Sequence, residues 1–418
     1  MRLSKFGNQF NQGSGIVSLM EDLGDALRVN PDMLFLGGGN PARIPAVEQA
    51  LANALQQVMD DPVKSQQMLG VYQSPAGDTA LLDDLVALLN REFQWGLTRE
   101  NLALANGSQS AFFVLFNMLA GEGCDGIKRH IQLPLVPEYL GYSDLGLSED
   151  FFRADRPTIE LIGEHQFKYH VDLSGLAVDA RSAALCVSRP TNPTGNVITD
   201  AEMARLDQLA RAHNIPLIVD GAYGTPFPGI IFTDVSPSWN SNTILVLSLS
   251  KLGLPGARTS VVIACESLIQ SFARANTVLS LAVGNMGPAI ARQLIANEQL
   301  LALGREAVTP FYRERALHTV ALIEQALAGL PFRLHRPEGA IFLWLWLEGL
   351  PITSEQLYQR LKKRGVLVIS GHHFFPGLTE PWQHQHECLR LSYGQPIDVI
   401  RRAIDILGDE IRGLYRQR

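Results

Sequence analysis

Along most of the chain, short apolar runs alternate with stretches whose apolar residues recur at helical spacing. After a polar start, a strand-like run at 33–36 meets three glycines, and a helix is expected from 46 to 59. A loop with Tyr72 and Gly77 follows. Further apolar runs, separated by helical stretches, lie at 102–105, 131–135, 184–187, 217–219, 244–247 and 260–264. This alternation predicts a mostly parallel sheet with helices on both faces.

The C-terminal third mixes helices and strands without regular alternation. In order, it contains a long helical stretch to about Gly329, a strand at 340–347, a helix at 354–364, strands at 366–370 and 389–393, and a last helix. We therefore predict an α/β protein in which a large domain spans 46–295 and a smaller α+β domain combines 1–45 with 296–418. No long linker separates the two domains, so an extensive interface between them is expected.

Composition narrows the functional class. The chain has 418 residues, of which 46% are hydrophobic and 18% charged, as in ordinary soluble proteins with a large core. A net charge of −7 and the lack of a long basic stretch argue against a nucleic-acid partner. There is no signal-like start and no apolar run of membrane-spanning length, so a cytoplasmic protein without a membrane partner is expected. The widely spaced cysteines are expected to be reduced: Cys124, Cys186, Cys265 and Cys388.

The residues that follow each apolar run are the candidates for chemistry, because ligands of open α/β sheets collect beyond the carboxyl ends of the strands. After the run at 102–105 come Gly107, Ser108 and Gln109, directly before an apolar helix at 111–120. Small residues at a helix start leave backbone N–H groups free at the positive end of the helix dipole, which suits a phosphate. Simple N-capping by Ser108 is the structural alternative.

Two charged residues lie in otherwise apolar strands, where each needs a partner. Asp220 ends the buried run PLIVD and is followed closely by Tyr223; a pyridinium nitrogen is one cation that would satisfy it, and a helix cap or a salt bridge would also do so. Arg390, in CLRLSY, has the planar guanidinium that binds a substrate carboxylate through two parallel hydrogen bonds. A structural ion pair is the alternative for Arg390.

Lys251 is the strongest single candidate. It follows the apolar run at 244–247 and precedes a turn rich in glycine and proline. We expect it to be the only lysine on a buried strand, because the others lie in polar or charged sequence: Lys5, Lys64, Lys128, Lys168, Lys362 and Lys363. Desolvation lowers the pKa of a lysine, and the neutral amine is the form that adds to a carbonyl. The position therefore predicts a Schiff-base lysine.

Together these residues resemble the fold-type I pyridoxal-phosphate (PLP) enzymes of the class I/II aminotransferase family, and the resemblance covers nearly the whole chain. Its strongest marks are Ser-Leu-Ser-Lys251 followed by Gly256 and Arg258, the segment PTNPTG at 190–195, and Asp220 with Tyr223. The family implies that PLP forms a Schiff base with Lys251. It also implies that Asp220 keeps the ring nitrogen protonated, so that the ring acts as an electron sink.

The resemblance assigns the other cofactor contacts. Tyr223 and Asn192 would bind the ring phenolate oxygen, and Tyr139 would stack on the ring face. The phosphate would be held by Gly107, Ser108, Gln109, Ser248 and Arg258.

The resemblance also implies how substrate and subunits meet. Arg390, Asn192 and the backbone of Gly39 would bind the substrate α-carboxylate. Tyr72 would reach the phosphate of a neighbouring subunit, which implies a homodimer. One departure from the broad family is Arg189, where an asparagine often precedes the proline.

Longer segments narrow the resemblance to a subfamily that transfers the amino group between valine and pyruvate. They are GGGNPARIP, ANGSQSAFF, CVSRPTNPTGNVIT, LSLSKLGLPGAR, PEGAIFLWLW and GHHFFPGL. The products implied are 2-oxoisovalerate and alanine, formed by a ping-pong mechanism in which Lys251, freed by the incoming amino acid, acts as the base at Cα. Four apolar residues are candidates for a pocket that binds a branched side chain: Phe374, Phe375, Ile16 and Val17. The alternative is that they belong to the hydrophobic core.

Two further motifs are rejected on their context. Ser248 to Lys251 spells S-x-x-K, but the SDN and KTG partners of the serine acyl-enzyme class do not occur. Gly37, Gly39 and Ala42 fit the dinucleotide pattern GxGxxG/A loosely, but Pro41 lies inside that loop and no strand-end carboxylate follows at the required distance.

Histidines cluster near the C-terminus, at His372, His373, His384 and His386. Only Glu387 and Cys388 lie nearby to complete a metal site, so no metal is expected, and the segment is interpreted as a loop lining the substrate entrance. Two other functional classes stay open. A PLP lyase or decarboxylase would use the same residues, and a non-catalytic binding protein of this fold would need an additional module, for which only about 30 residues precede the first strand.

Overall fold

The computed structural model describes the backbone of residues 2–10 and 15–417, and the side chains of residues 2–10 and 19–417. Its helices are α1 (Lys5–Gln9), α2 (Gly15–Val29), α3 (Pro45–Met59), α4 (Pro62–Gly70), α5 (Thr79–Phe93), α6 (Ser108–Leu119), α7 (Asp200–Ala212), α8 (Glu266–Ser280), α9 (Met286–Ala296), α10 (Gln299–Leu303), α11 (Thr309–Ala326), α12 (Ser354–Lys363) and α13 (Ile397–Arg416). None of the described helices combines the length and the apolar character needed to span a bilayer.

The strands of the described chain form two main sheets and one small pair. They are β1 (Leu34–Phe35), β2 (Leu102–Ala105), β3 (Gly121–Glu122), β4 (Lys128–Leu133), β5 (Phe152–Ala154), β6 (Thr158–Ile162), β7 (Gln166–His170), β8 (Ser182–Ser188), β9 (Leu217–Gly221), β10 (Thr243–Ser248), β11 (Ser260–Ile263), β12 (Phe332–His335), β13 (Phe342–Leu347), β14 (Val366–Leu367), β15 (Ile369–Ser370) and β16 (Cys388–Ser392).

The central sheet has the strand order β2-β11-β10-β9-β8-β4-β3, with β5 beside β4. The strands β10, β9, β8, β4 and β5 run parallel, whereas β11 is antiparallel to both of its neighbours and β3 is antiparallel to β4. Every residue of β2, β8, β9, β10 and β11 is buried, as expected for strands covered on both faces. The prediction of a mostly parallel, covered sheet is confirmed.

The second sheet has the order β15-β16-β13-β12-β7-β6. Its hairpin of β6 and β7 was not predicted and lies inside the range expected for the large domain, although β7 pairs in parallel with β12. The strand expected at 366–370 is divided at Val368, because β14 pairs with β1 whereas β15 pairs with β16. The proposed domain boundaries stay a prediction.

Capping residues determine where two of the helices begin. The first long helix, α3, ends at Met59 as expected, and Asp61 then caps α4 by accepting a hydrogen bond of 3.0 Å from the Val63 N–H. At α7, the Thr199 side chain accepts from the Glu202 N–H while the Glu202 carboxylate accepts from the Thr199 N–H. This reciprocal cap fixes the point at which the chain leaves the PTNPTG segment.

Lys168 lies on a buried strand, whereas Lys251 lies in the turn after one, so the expectation that Lys251 is the only lysine on a buried strand is wrong. Lys168 lies on β7 with its side chain only 2% exposed. Its Nζ donates to a carboxylate oxygen of Glu338, to Asn196 Oδ1 at 3.0 Å and to the Val197 carbonyl at 2.9 Å. β7 has the sequence QFKYH, in which Lys168 lies between two aromatic residues and the strand ends are polar, so its sequence does not reveal this burial. All three N–H groups of the ammonium have acceptors, and these hydrogen bonds connect the second sheet to the segment before α7.

We expect Lys168→Met to destabilise the fold by about 3 kcal/mol, because it leaves the Glu338 carboxylate buried without its nearest cation and only Arg336 beside it. Urea unfolding followed by tryptophan fluorescence measures the change. Lys64→Met is the matched control: Lys64 pairs with Asp61 at the surface, so its loss should cost less than about 0.5 kcal/mol. Equal unfolding midpoints for the two variants would contradict the assigned role of the buried pair.

Candidate active site

A cavity of about 490 Å³ opens at the carboxyl ends of β8, β9 and β10, and both sheets contribute to its walls. Its lining includes the following residues singled out from the sequence: Gly39, Ser108, Gln109, Tyr139, Asn192, Asp220, Tyr223, Ser248, Lys251, Arg258 and Arg390. Two further residues singled out from the sequence, Gly107 and Tyr72, are not part of the lining. Gly107 lies directly against the Arg258 guanidinium, and Tyr72 is 80% exposed elsewhere on the surface.

Lys251 reaches the cavity from a short 3-10 turn that follows β10. Its Nζ donates a 2.6 Å hydrogen bond to the Gly39 carbonyl and lies 5.3 Å from the centre of the Tyr223 ring. Burial, together with the charges of Arg390 and Arg258 and against the opposing effect of Asp220, lowers the pKa of Lys251 to about 8. A substantial fraction of this amine is therefore neutral near physiological pH.

Asp220 is a buried carboxylate on β9, paired in register with Ser188 of β8. Its Oδ2 accepts a 2.7 Å hydrogen bond from the Tyr142 hydroxyl, and its Oδ1 accepts one of 2.9 Å from the Ala222 N–H. Burial raises the pKa of Asp220, while these two donors and the charge of Lys251 lower it. The carboxylate is thus held on its protein side by neutral donors, and it faces the cavity with capacity to bind a cation.

One end of the cavity is built to hold an anion. Gly107 has φ +90°, and a Cβ there would lie 2.1 Å from Arg258 Nη2, so only glycine allows the guanidinium this close to the start of α6. The first N–H groups of α6, beginning at Ser108, have no partner within the helix. Gln109, the second residue of α6, and Ser248, at the end of β10, also line the cavity. Backbone N–H groups, a hydroxyl and a guanidinium around one space suit a phosphate.

A second cation, Arg390, lines another part of the cavity. It lies on β16 and is buried; its Nη1 donates to Asn192 Oδ1 at 2.9 Å and its Nη2 to the Gly37 carbonyl at 2.7 Å. The guanidinium lies 4.1 Å from the centre of the Phe342 ring. Both acceptors are neutral, and Arg390 Nε has no partner among the described residues. Burial lowers the pKa of Arg390 to about 10, which still leaves it charged. Its geometry is that of a group able to bind a carboxylate, not of a structural ion pair.

Sequence reasoning missed the residues behind Asp220. Glu138 is fully buried and accepts hydrogen bonds from the Ser188 N–H at 2.7 Å, the Ser188 hydroxyl at 2.6 Å and the Tyr139 N–H at 2.9 Å. Burial raises the pKa of Glu138 to about 7. A signal was present in the sequence, since Glu138 is the one charged residue in the apolar segment PLVPEYL at 134–140. Tyr142 gives no such signal, because its contact with Asp220 depends on the folded chain.

Of the four residues considered for a branched-chain pocket, only Phe374 and Phe375 have side chains that the structure describes, and these two do not line the cavity. Phe374 and Phe375 are buried in the core, where Phe374 lies 5.2 Å from the Arg390 guanidinium, and neither lines the cavity. The side chains of Ile16 and Val17 lie outside the described residues. The described apolar residues of the cavity lining include Leu19, Met20, Leu23, Phe35 and Ile369.

The expectation that the histidine segment lines the substrate entrance is wrong, since none of its four histidines is in the cavity lining. His384 is buried and bonded to the Tyr169 hydroxyl, and His372 Nδ1 lies 2.7 Å from Ser370 Oγ. Glu355, His372 and His373 form a group of metal-ligand type. However, His373 Nε2 is 3.9 Å from Glu355 Oε2, wider than the roughly 3.5 Å between donors around a tetrahedral zinc.

The departure at Arg189 also has a structural account. Its Nε donates to the Ile198 carbonyl at 2.7 Å and its Nη2 pairs with Asp200, so it braces the PTNPTG segment from behind. Arg189 is buried and does not line the cavity.

Comparison with known proteins identifies this combination of fold and site. The family model for aminotransferases of class I and II matches residues 152–407. Valine–pyruvate aminotransferase of Escherichia coli (strain K12) is 49% identical over 417 residues, which cover 100% of both chains. The chain therefore belongs to the class I and II aminotransferase family, whose members use PLP.

Solved structures agree with this assignment. The crystal structure of valine–pyruvate aminotransferase from Salmonella typhimurium LT2 is 48% identical, has a TM-score of 0.89, and covers 97% of this chain and 100% of its own. The crystal structure of an α-aminoadipate aminotransferase from Thermus thermophilus has a TM-score of 0.78 at 22% identity, and covers 100% of this chain and 98% of its own. The expected fold-type I architecture is confirmed.

The lowered pKa of Lys251 predicts how its reactivity depends on pH. In protein prepared without PLP, acylation of Lys251 by a small reagent should rise with a midpoint near pH 8 instead of the ordinary 10.5, and Asp220→Asn should move the midpoint lower, because it removes the negative charge that raises this pKa. Mass spectrometry of the labelled peptides measures the profile, with the surface residue Lys64 as internal reference. A midpoint for Lys251 near 10.5 would contradict the desolvated site.

Proposed function

We propose that this protein transfers an amino group between valine and pyruvate, giving 2-oxoisovalerate and alanine, with PLP bound to Lys251. The observation that carries the proposal is the arrangement around one cavity of an amine of lowered pKa, a buried carboxylate, an anion cradle and an arginine held only by neutral acceptors. The name of the Escherichia coli relative, which aligns over its full length, supports the choice of substrates.

The residues present fit PLP. The gap that only a glycine leaves at position 107, beside Arg258, suits the phosphate, which we assign to Gly107, Ser108, Gln109, Ser248 and Arg258. Asp220 would meet the ring nitrogen, Tyr139 the ring face, and Tyr223 with Asn192 the phenolate oxygen. When bound, PLP supplies an aldehyde that condenses with amines and a protonated ring that withdraws electrons from the substrate Cα.

The chain's own residues would bind the substrate and move its proton. Arg390, with Asn192 and the backbone of Gly39, would hold the α-carboxylate and so fix the direction of the Cα–H bond. Lys251, neutral and close to Gly39, would take the proton from Cα. Because one site serves both half-reactions in turn, the amino acid product leaves only after the first oxo acid has gone, and ping-pong kinetics are expected.

The apolar wall favours an aliphatic side chain. Leu19, Leu23, Phe35 and Ile369 line the cavity, and the charged groups in its lining, besides Asp220, are the three already assigned cations. A branched aliphatic group would bury apolar surface there, whereas a carboxylate side chain would be desolvated without a partner of its own.

We further propose a cytoplasmic homodimer. Large apolar side chains are exposed on neighbouring segments, including Leu69, Val71, Tyr72, Val278, Leu279, Leu281 and Met286. Asn285 joins these segments by donating to the carbonyls of Gln67 at 3.1 Å and Val71 at 2.6 Å. Contiguous exposed apolar surface of this kind is typical of a subunit interface, and the placement of Tyr72 within it is consistent with a contact to the partner's phosphate. The four free cysteines suit a reducing compartment.

The substrate assignment is tested by measuring alanine formation from pyruvate with a panel of amino acids. Valine should give the highest kcat/KM among aliphatic, aromatic and acidic donors, and Lys251→Ala should abolish turnover together with the visible absorption of the bound cofactor. Lys64→Ala is the control and should leave both unchanged. Release of ammonia or carbon dioxide in place of alanine would reassign the protein to the lyases or decarboxylases.

The dimer is tested by placing charge in the exposed apolar patch. Leu281→Asp should shift the protein from dimer to monomer in sedimentation velocity and weaken PLP binding, because Tyr72 of the partner would be lost from the site. Leu317→Asp is the matched control, since Leu317 on α11 is exposed to the same degree, 60% against 61% for Leu281. A wild-type monomer, or equal effects of the two substitutions, would refute the proposed interface.

A further inference from the structure

Two buried carboxylates, Glu138 and Asp220, lie at opposite ends of a bridge of two hydroxyl groups. The Ser188 hydroxyl is 2.6 Å from Glu138 Oε2, the Tyr142 hydroxyl is 2.7 Å from Asp220 Oδ2, and the two hydroxyl oxygens are 3.4 Å apart. All of the groups that donate to Glu138 are uncharged: two backbone N–H groups and the Ser188 hydroxyl. Among the described residues, Glu138 therefore has no cation to compensate a buried negative charge.

The number of protons in the bridge limits how it is arranged. Each hydroxyl has one proton to donate. If both carboxylates are ionised, Ser188 must donate to Glu138 and Tyr142 to Asp220, so that no proton lies between the two hydroxyl oxygens. The two negative charges then face each other across a low-dielectric interior without a cation beside Glu138, which is costly.

A neutral Glu138 removes this conflict. Its own proton then lies on Oε2 and is donated to Ser188 Oγ, which frees the Ser188 proton for the Tyr142 oxygen, while Tyr142 continues to donate to Asp220. All three hydrogen bonds now point toward Asp220, and donors aligned in this way strengthen one another. The backbone N–H of Ser188 still donates to Oε1, and that of Tyr139 to the oxygen of the protonated acid.

We propose that Glu138 is a positioning residue held as the neutral acid, which directs the Ser188 and Tyr142 hydroxyl protons toward Asp220 and keeps Asp220 ionised beside the cofactor ring. The proposal rests on the PLP function proposed above. Two observations support it beyond the hydrogen-bond count. Burial, reinforced by the charge of Asp220, raises the pKa of Glu138 to about 7, and Glu138 directly precedes Tyr139, the residue assigned to the ring face.

The protonation state of Glu138 can be tested in a measurement that does not depend on bound cofactor. The full-length wild-type protein at neutral pH should show the carbonyl stretching band of a buried carboxylic acid in infrared difference spectra against Glu138→Gln, and this band should be absent from the variant. The side-chain amide nitrogen of the glutamine, in the position of Oε2, keeps a donor toward Ser188 Oγ as the neutral acid does, and it gives up only the acceptor for the Tyr139 N–H. A wild-type spectrum without the band would mean that Glu138 is ionised and would overturn the proposal, whether or not the protein binds PLP.

The effect on Asp220 is tested in enzyme loaded with ring-labelled ¹⁵N-PLP. Tyr142→Phe removes the donor to Asp220, so the ring proton should move toward the carboxylate, and the nitrogen signal should shift toward its unprotonated value while kcat falls about ten-fold or more. Ser188→Ala should shift the signal in the same direction. Glu138→Gln should leave it at the wild-type position, as should the matched control Glu387→Gln, a buried glutamate outside the cavity lining.

Two results would overturn the proposed direction of the hydrogen bonds from Glu138 to Asp220. One is an unshifted nitrogen signal in Tyr142→Phe, and the other is a shift in Glu138→Gln as large as that in Tyr142→Phe. The second result would show that Glu138 acts through a negative charge. Failure of the wild-type protein to bind PLP would instead refute the proposed function, and the infrared band would still decide the state of Glu138.

Discussion

The rest of the site depends on the burial of one carboxylate, Asp220. In-register pairing of β8 with β9 places it beside Ser188 at the carboxyl ends of two strands that are buried at every residue. Such a charge is stable only if donors surround it and a cation meets it. The Tyr142 hydroxyl and the Ala222 N–H provide the donors. None of these donors is a cation, so the cation that Asp220 needs must come from a ligand bound in the cavity. The side of Asp220 that faces the cavity therefore indicates what kind of ligand the site binds.

Positive charge dominates the cavity although the chain as a whole has a net charge of −7. Among the described residues, the charged groups of its lining are Lys251, Arg258 and Arg390 on the positive side and Asp220 on the negative side. The two arginines have a double effect, since they attract anionic groups of a ligand and also lower the pKa of Lys251. Anion binding and amine activation therefore come from the same side chains. A bound phosphate or carboxylate would reduce this effect on Lys251, so amine reactivity and ligand occupancy are linked.

The sequence could predict those features that depend on residues close together in the chain, and it could not predict those that depend on distant residues. Strands, their ends and the residues just after them are local, and so Asp220 and Lys251 could be found from apolar runs. The buried state of Lys168 is not local, because its partner Glu338 is 170 residues away in sequence. The histidine segment was misplaced for the same reason, since its direction is set by contacts such as that of His384 with Tyr169. The family resemblance supplied functional roles, but it did not supply these contacts.

The two sheets meet at the site, and neither forms it alone. Asn192, in the segment after β8, accepts from Arg390 of the second sheet, and Lys168 of that sheet binds the same segment through Asn196. Arg390 also holds the Gly37 carbonyl, close to the Gly39 carbonyl that accepts from Lys251. A carboxylate that bound Arg390 would compete with Asn192 and Gly37 for its N–H groups. Substrate binding would therefore act directly on the contacts that join the two sheets, so the position of the second sheet and the occupancy of the carboxylate site should be coupled.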